Sequence, residues 1–126
     1  MWIAITWTYE QSTGDLTHNG KFIKTGYAGF GEGKNKSSMQ CMRNVGPLPR
    51  GKYIMKELIL KHSTCGAYVI RLEPDPRNNM CGRSNFLIHG DSKTHPGSAS
   101  HGCIILDKKY RKDMWTSGDK ILEVIA

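Results

Sequence analysis

The sequence predicts a single mainly β domain over residues 1–126, a sandwich or barrel with one or two short helices. Three observations favour this class. The length is that of one ordinary domain. About seven short apolar or alternating runs are typical of strands and are separated by turn formers. Neither an internal repeat nor a polar linker divides the chain, so we expect one hydrophobic core.

The N-terminal part predicts a β meander. Apolar Ile3, Ile5, Trp7 and Tyr9 alternate with polar residues, which is the period of a half-buried strand. The segment "LTHNGKFIKT" centres on an Asn-Gly dipeptide that favours a type I′ hairpin turn. The following "GYAGFGEG", residues 26–33, fails the Walker A and G-x-G-x-x-G patterns and predicts a tight loop beside a site.

The remaining elements are predicted from apolar runs and turn residues. A Pro- and Gly-rich turn covers 44–53, and the following "YIMKELILK" is ambiguous between strand and helix. We expect strands at 67–73, 85–90, 103–106 and in the final "KILEVIA". Asp107 is a candidate N-cap for a short helix through Trp115, with Gly118 beyond its end.

The chain is basic, with a net charge of +7, and this charge favours an anionic partner. No aromatic interleaving or nucleic-acid motif accompanies the basic residues, so we expect a solvated face and no nucleic-acid binding. No apolar run is long enough for membrane insertion. The segment "MWIAITWTYEQSTG" has no basic leader or uninterrupted apolar stretch, so we expect no signal peptide and another route if the protein acts outside the cytoplasm. The basic residues of the loop-like region are Lys34, Lys36, Arg43, Arg50, Lys52 and Lys56.

The four cysteines include no C-x-x-C pair and suggest neither a zinc ribbon nor a thioredoxin-like site. If Cys103 stays free for chemistry, at most one disulfide can form among Cys41, Cys65 and Cys81. The sequence leaves that pairing open.

The densest cluster of reactive side chains lies between His89 and Cys103. A cysteine is a good nucleophile only as a thiolate, so Cys103 needs a base or a positive environment, and His89 is the candidate base. His89 ends the apolar run "FLIH" and Cys103 begins "CIIL". Pairing of these two predicted strands would bring the imidazole and the sulfur together.

Neighbouring residues supply further candidate roles. Gly102 permits a sharp turn in which its amide and that of Cys103 point at an acyl oxygen as an oxyanion hole. His101 would lie on the same side of the chain as Cys103 and shape the pocket. Ser100, Tyr27 and Tyr53 are candidate substrate contacts. Loops 29–36 and 91–99 are candidate groove walls.

Two other interpretations of this cluster stay open. A zinc site could use His89, His95, His101 and Cys103, although their spacing is unlike common ligand pairs. A basic binding module for cell wall or nucleic acid would give the cluster no catalytic role. A serine hydrolase is disfavoured because Ser98 occupies the position where G-x-S-x-G needs its first glycine.

The pattern His89-Gly90, a turn-rich insert and Ser100-His101-Gly102-Cys103 resembles the active-site signature of L,D-transpeptidase catalytic domains. The segments "TWTYEQSTGDL", "GYAGFGEGKN", "NVGPLPRGKY" and "GRSNFLIHGDS" are similar to small type VI secretion effectors that act on peptidoglycan. In that family the backbone oxygen after the histidine, here that of Gly90, holds the imidazole tautomer. Housekeeping members commonly have a polar or arginine residue two positions after the cysteine, where this chain has Ile105.

The resemblance implies an activity and a setting. Cys103 would attack the third-residue carbonyl of a peptidoglycan tetrapeptide stem, with His89 as base, and hydrolysis, D-amino-acid exchange or cross-linking would follow. No cofactor or metal is implied. The resemblance further implies synthesis in the bacterial cytoplasm, secretion without a signal peptide, action in the target-cell periplasm and a cognate immunity protein as partner.

Overall fold

The computed structural model describes residues 6–126 and contains nine strands and one α helix in that range. The strands are β1 Trp7–Glu10, β2 Asp15–His18, β3 Lys21–Thr25, β4 Tyr27–Ala28, β5 Gly51–His62, β6 Gly66–Pro74, β7 Leu87–His89, β8 Ile104–Ile105 and β9 Ile121–Ile125. Helix α1 spans Lys108–Thr116, and single 3-10 turns cover Gly31–Gly33 and Ser37–Met39. Ile3 and Ile5 of the predicted first strand lie outside the described residues.

All nine strands form one sheet in the order β3-β2-β1-β9-β5-β6-β7-β8-β4. Its two edge strands, β3 and β4, are separated in sequence only by Gly26. The sheet must therefore curl until its edges meet, which gives a nearly closed, barrel-like form. Gly26 sits at this seam, where a Cβ would lie 2.1 Å from the Ile105 carbonyl oxygen, so only glycine fits. The predicted mainly β fold is confirmed.

The β2–β3 hairpin turns at Asn19-Gly20 as predicted. Both residues have positive φ, 53° and 82°, as a type I′ turn requires, and His18 pairs with Lys21. The ambiguous "YIMKELILK" is strand, because it belongs to β5, which pairs with β6 from Tyr53↔Pro74 to His62↔Gly66. This long hairpin ends in a turn at residues 63–65, close to the candidate site.

Several predicted boundaries differ from the structure. The described residues contain nine strands where about seven were predicted; the two-residue β4 lies in a segment predicted as a loop, and β8 is shorter than the predicted 103–106. The glycine-rich segment begins as strand β4, which pairs with β8 through Tyr27↔Ile105. Asp107 precedes α1, but its side chain makes no capping hydrogen bond; it approaches Lys24 at 3.8 Å instead. The predicted strand 85–90 is shortened because Asn85 has a left-handed backbone with φ 65°.

The core lies inside the curled sheet and beneath α1. It places Ile88 and Ile104, which face each other across β7 and β8, among fully buried residues. The strands that carry the candidate site are therefore fixed by burial on their opposite face. Other fully buried core residues are Tyr9, Leu16, Ala28, Leu48, Tyr53, Met114 and Leu122. Within residues 6–126, no helix has the length and hydropathy that a membrane span would need.

Candidate active site

Cys103 lies immediately before β8, at the open end of the β7–β8 pair. The strands are parallel, with Ile88 opposite Ile104 and His89 opposite Ile105, so Cys103 lies beside Leu87. The half-buried sulfur accepts a hydrogen bond from the Leu87 amide at 3.3 Å. It also contacts the Asn85 carbonyl oxygen at 4.0 Å. The predicted pairing of the two strands is thus present, with the cysteine two positions out of register with the histidine.

His89 ends β7 and is only 6% exposed. Its Nδ1 lies 2.9 Å from the Gly90 carbonyl oxygen. Because a carbonyl only accepts hydrogen bonds, Nδ1 must carry the proton, and Nε2 keeps its lone pair. The Gly90 carbonyl therefore stands where the resemblance predicted it, fixing the tautomer that a general base needs.

His89 and Cys103 line the same cavity without a hydrogen bond between them. A two-residue offset between neighbouring parallel strands separates their Cα atoms by about 8 Å. Among the described residues, neither ring nitrogen of His89 hydrogen-bonds the sulfur. Both side chains nevertheless face one cavity of ≈ 400 Å³, which we call the histidine cavity. Its lining includes His62, Thr64, Cys65, His89, Ala99 and Cys103.

The surroundings of Cys103 and His89 favour the uncharged form of both side chains. Burial raises the pKa of the Cys103 thiol to about 11, an effect that the Leu87 amide and the Arg83 charge only partly offset. Burial likewise lowers the pKa of His89, and the nearby Arg111 charge lowers it further. Near neutral pH the site therefore holds a thiol and an uncharged imidazole, the pairing suited to base catalysis during attack.

Ser100 and Gly102 shape the backbone before Cys103. The Ser100 hydroxyl accepts from the Gly29 and Gly102 amides at 2.9 and 3.0 Å and donates to the Cys103 carbonyl at 2.6 Å. Ser100 is fully buried, so its prediction as a substrate contact is wrong. The Gly102 amide is occupied by this hydroxyl, so it does not point at an acyl oxygen as predicted.

Gly102 is required for steric reasons. Its φ is 138°, and a Cβ there would lie 2.5 Å from Arg83 Nη2 and 2.9 Å from the Phe86 ring. Both the conformation and the space exclude a side chain. The Gly102 carbonyl accepts a hydrogen bond from the Leu48 amide at 2.9 Å, which ties this turn to the core.

Arg83 is a site residue that the sequence analysis missed. Its buried guanidinium donates to the carbonyls of Gln40, Pro47, Gly46 and His101 at distances from 2.6 to 3.0 Å. It thereby fastens the 40–47 loop to the turn before Cys103. Within the described range, no carboxylate forms an ion pair with Arg83. The only signal in the sequence was its position in "GRSNFLIH", just before β7.

His101 is exposed and lines the cavities beside Cys103. Its Nδ1 contacts the Asn44 carbonyl at 3.1 Å, and its ring stacks on Phe30 with centroids 5.2 Å apart. His101 and Cys103 also line a second cavity, of ≈ 430 Å³, which we call the arginine cavity. Its lining includes Arg43, Asn44, Arg83, Ser84, His101 and Cys103. Cys103 therefore lies between two cavities.

The two tyrosines that were predicted as substrate contacts, Tyr27 and Tyr53, instead hold segments of the protein in place. Tyr53 is fully buried and donates to the Pro49 carbonyl at 2.6 Å, so its prediction as a substrate contact is wrong. Tyr27 donates to Asp91 at 2.6 Å and accepts from the Ala99 amide at 3.0 Å. Burial and the Asp91 hydrogen bond raise the pKa of Tyr27 to about 12. Tyr27 fastens the 91–99 loop and lines neither cavity beside Cys103.

Of the two loops predicted as groove walls, 91–99 lines a cavity at the site and 29–36 does not. Loop 91–99 contributes Asp91, Ser92 and His95 to a ≈ 500 Å³ cavity that shares His89 and Cys65 with the histidine cavity. Residues 29–36 line none of these cavities and reach the site only where Phe30 stacks on His101. The opposite wall is formed by segments 43–44 and 82–86 and by the β5–β6 turn, none of which the sequence indicated.

The structure shows which cysteines pair and whether the candidate zinc ligands lie together. Cys41 and Cys81 form a disulfide, while Cys65 and Cys103 are free. The disulfide joins the 40–47 loop to the segment before β7. Within residues 6–126, no group of three or more His, Cys, Asp or Glu side chains is arranged to hold a metal ion. The proposed zinc ligands are therefore not brought together.

The comparisons with known proteins agree with this architecture. Among solved structures, Mycobacterium tuberculosis L,D-transpeptidase 1 is similar at 16% identity and a TM-score of 0.55, over 98% of this chain and 62% of that one. The carbamoyl adduct of Ldtfm with avibactam is similar at 14% identity and a TM-score of 0.57, over 97% and 49%. The chain thus spans half to two thirds of these structures, and at such identity the likeness concerns the fold.

A search of curated proteins finds no significant match. The model of the Tlde1 domain, a type VI effector domain family, matches residues 23–124, which include every candidate catalytic residue. With most of its length matched and the fold of an L,D-transpeptidase around Cys103, the chain belongs to the Tlde1 domain family.

Proposed function

We propose that this protein is a cysteine-dependent acyl transferase and hydrolase of peptidoglycan stem peptides, with L,D-carboxypeptidase and D-amino-acid exchange activity. The observation that carries the proposal is the placement of Cys103 and His89 in one cavity, with Nε2 of His89 left unprotonated. The family and the L,D-transpeptidase fold support a reaction on peptidoglycan. No cofactor is needed.

In the first step, Cys103 Sγ attacks the third-residue carbonyl of a tetrapeptide stem, and His89 Nε2 takes the thiol proton. The amide of Cys103 is the proposed donor to the resulting oxyanion, because that of Gly102 is held by Ser100. Collapse breaks the C–N bond, the His89 proton passes to the departing D-alanine amine, and a thioester remains on Cys103.

In the second step, His89 removes a proton from the acceptor as it adds to the thioester. The C–S bond breaks and the proton returns to the thiol. Water gives a tripeptide stem, a D-amino acid gives exchange, and the side-chain amine of another stem gives a 3-3 cross-link. On this mechanism, a hydrogen bond between His89 Nε2 and Cys103 Sγ forms when substrate binds, since catalytic hydrogen bonds are often long or poorly aligned in free enzymes.

The biological setting is part of the proposal. The chain belongs to an effector domain family. By removing or exchanging the fourth residue of the stem peptide, it would deprive a target cell of donor stems for cross-linking. We propose synthesis in the bacterial cytoplasm, delivery by a type VI apparatus into the target periplasm and a cognate immunity protein in the producer. The net charge of +7 suits a polymer that carries carboxylates.

Digestion of purified sacculi followed by mass spectrometry tests the proposal. The native protein should release D-alanine and convert tetrapeptide to tripeptide stems. Cys103→Ala should abolish this release, and His89→Ala should reduce it by about 10²- to 10⁴-fold. Lys112→Ala, at an exposed position of α1 that lines none of these cavities, is the control and should retain activity. Stem peptides left unchanged by the native protein would favour a binding module instead.

A further inference from the structure

The two cavities that meet at Cys103 differ in the chemistry of their walls. The histidine cavity contains His89, whereas the arginine cavity contains Arg43 and Arg83, and among the described residues no acidic side chain lines either cavity. Arg71 also reaches the histidine cavity, but it forms an ion pair with Glu57 at 3.1 Å. Uncompensated positive charge is therefore concentrated on one side of the nucleophile.

The position of His89 assigns the two cavities to different parts of the substrate. On the proposed mechanism, His89 protonates the departing amine and deprotonates the incoming acceptor, so both must occupy its side of the sulfur. The acyl part that remains on Cys103 must then extend to the other side, into the arginine cavity. That retained part is the tripeptide stem, which carries free carboxylates on its glutamyl and diamino acid residues.

Arg43 is the group in the arginine cavity best placed to bind such a carboxylate. The four terminal N–H contacts of Arg83 are already used on backbone carbonyls, so it contributes charge but few free donors. Arg43 is exposed, and among residues 6–126 its side chain makes a single long hydrogen bond, 3.4 Å to the Gly82 carbonyl. A guanidinium with free donors matches a carboxylate in two parallel hydrogen bonds.

The backbone that carries Arg43 is held in place. The disulfide between Cys41 and Cys81 joins the two segments that wall the arginine cavity. Arg83 adds hydrogen bonds to carbonyls on both sides of Arg43, at Gln40 and Gly46. A long side chain on a fixed loop loses less entropy on binding than one on a mobile loop.

We propose that Arg43 binds a carboxylate of the retained tripeptide part in the arginine cavity and makes the protein selective for stems in which that carboxylate is free. Amidation would remove the charge and replace an acceptor oxygen with a donor. The inference rests on the proposed function, since His89 chemistry decides which cavity holds the acyl part.

Binding of synthetic tripeptide stems to the unreactive Cys103→Ala protein, measured by calorimetry, tests the inference. Three peptides are compared: the free acid, one amidated at the glutamyl carboxylate and one amidated at the distal carboxylate of the diamino acid. Arg43→Gln should weaken binding of the free acid by about tenfold and leave one amidated peptide unaffected. The peptide that is unaffected identifies the carboxylate, and Arg43→Lys should restore part of the loss.

Arg77→Gln is the control, because Arg77 is exposed, pairs with Asp75 and lines neither cavity. It should bind all three peptides as the parent does. Equal weakening of all three peptides by Arg43→Gln, no weakening of any, or failure of the parent to bind the free acid would overturn the inference. These readouts need no turnover, so they are distinct from failure of the native protein to release D-alanine, which would refute the proposed function.

Discussion

The resting protonation state of Cys103 leads to a quantitative prediction about its reactivity. With a pKa of about 11, the thiol is only about 10⁻⁴ thiolate at pH 7, some 300-fold less than a free cysteine. The greater nucleophilicity of a more basic thiolate recovers about 15-fold of this. Alkylation of Cys103 by iodoacetamide at pH 7 should therefore be at least about 20-fold slower than that of a cysteine peptide.

The pH dependence of the alkylation rate tests this prediction. The rate at the Cys103 peptide, followed by mass spectrometry in a Cys65→Ser background, should rise about tenfold per pH unit from pH 7 to pH 10. His89→Ala should leave this rise in place while reducing acyl transfer, because the base acts during attack and not on the resting thiol. A rate that levels off below pH 8, and loses that plateau in His89→Ala, would refute the reasoning and reveal a preformed thiolate–imidazolium pair.

Three further variants probe the scaffold. Gly102→Ala should lower the melting temperature and abolish D-alanine release, because its methyl group would collide with Arg83; unchanged melting would contradict this packing. Ser100→Ala should cost about 2 kcal/mol in denaturant unfolding, since two buried amides and a carbonyl lose one shared partner, and a cost near zero would argue against that network. Replacing Cys41 and Cys81 with serine should cost about 4 kcal/mol, from the closure entropy of a 40-residue loop, measured against the native protein under oxidising conditions; equal stability would count against the bridge.

The sequence predicted those parts of the fold and site that depend on local pattern. The Asn19-Gly20 turn follows from the two positive φ angles that this dipeptide tolerates. The pairing of β7 with β8 follows from two short apolar runs, one that ends at His89 and one that begins at Cys103. The tautomer of His89 was indicated by the resemblance, through the carbonyl of Gly90, and the structure places that carbonyl accordingly.

The parts that could not be predicted depend on contacts between distant segments. Arg83 contacts carbonyls up to 43 positions away, and nothing near it in sequence distinguishes it from a surface arginine. Ser100 and Tyr53 are polar residues whose hydroxyls are satisfied inside the core, so residue type alone wrongly indicated substrate contact. The disulfide partner of Cys41 was one of several pairings that the spacing allowed.

Ile105 links the departure from the housekeeping pattern to the inference about Arg43. It lies in β8 directly opposite His89 and pairs with Tyr27 on its other side, and it is only 3% exposed. A polar side chain there would have to be buried, at a cost that isoleucine avoids. Because this position offers no charge, a carboxylate of the proposed stem substrate would need a cation elsewhere, and Arg43 offers one on a loop fixed by the Cys41 disulfide.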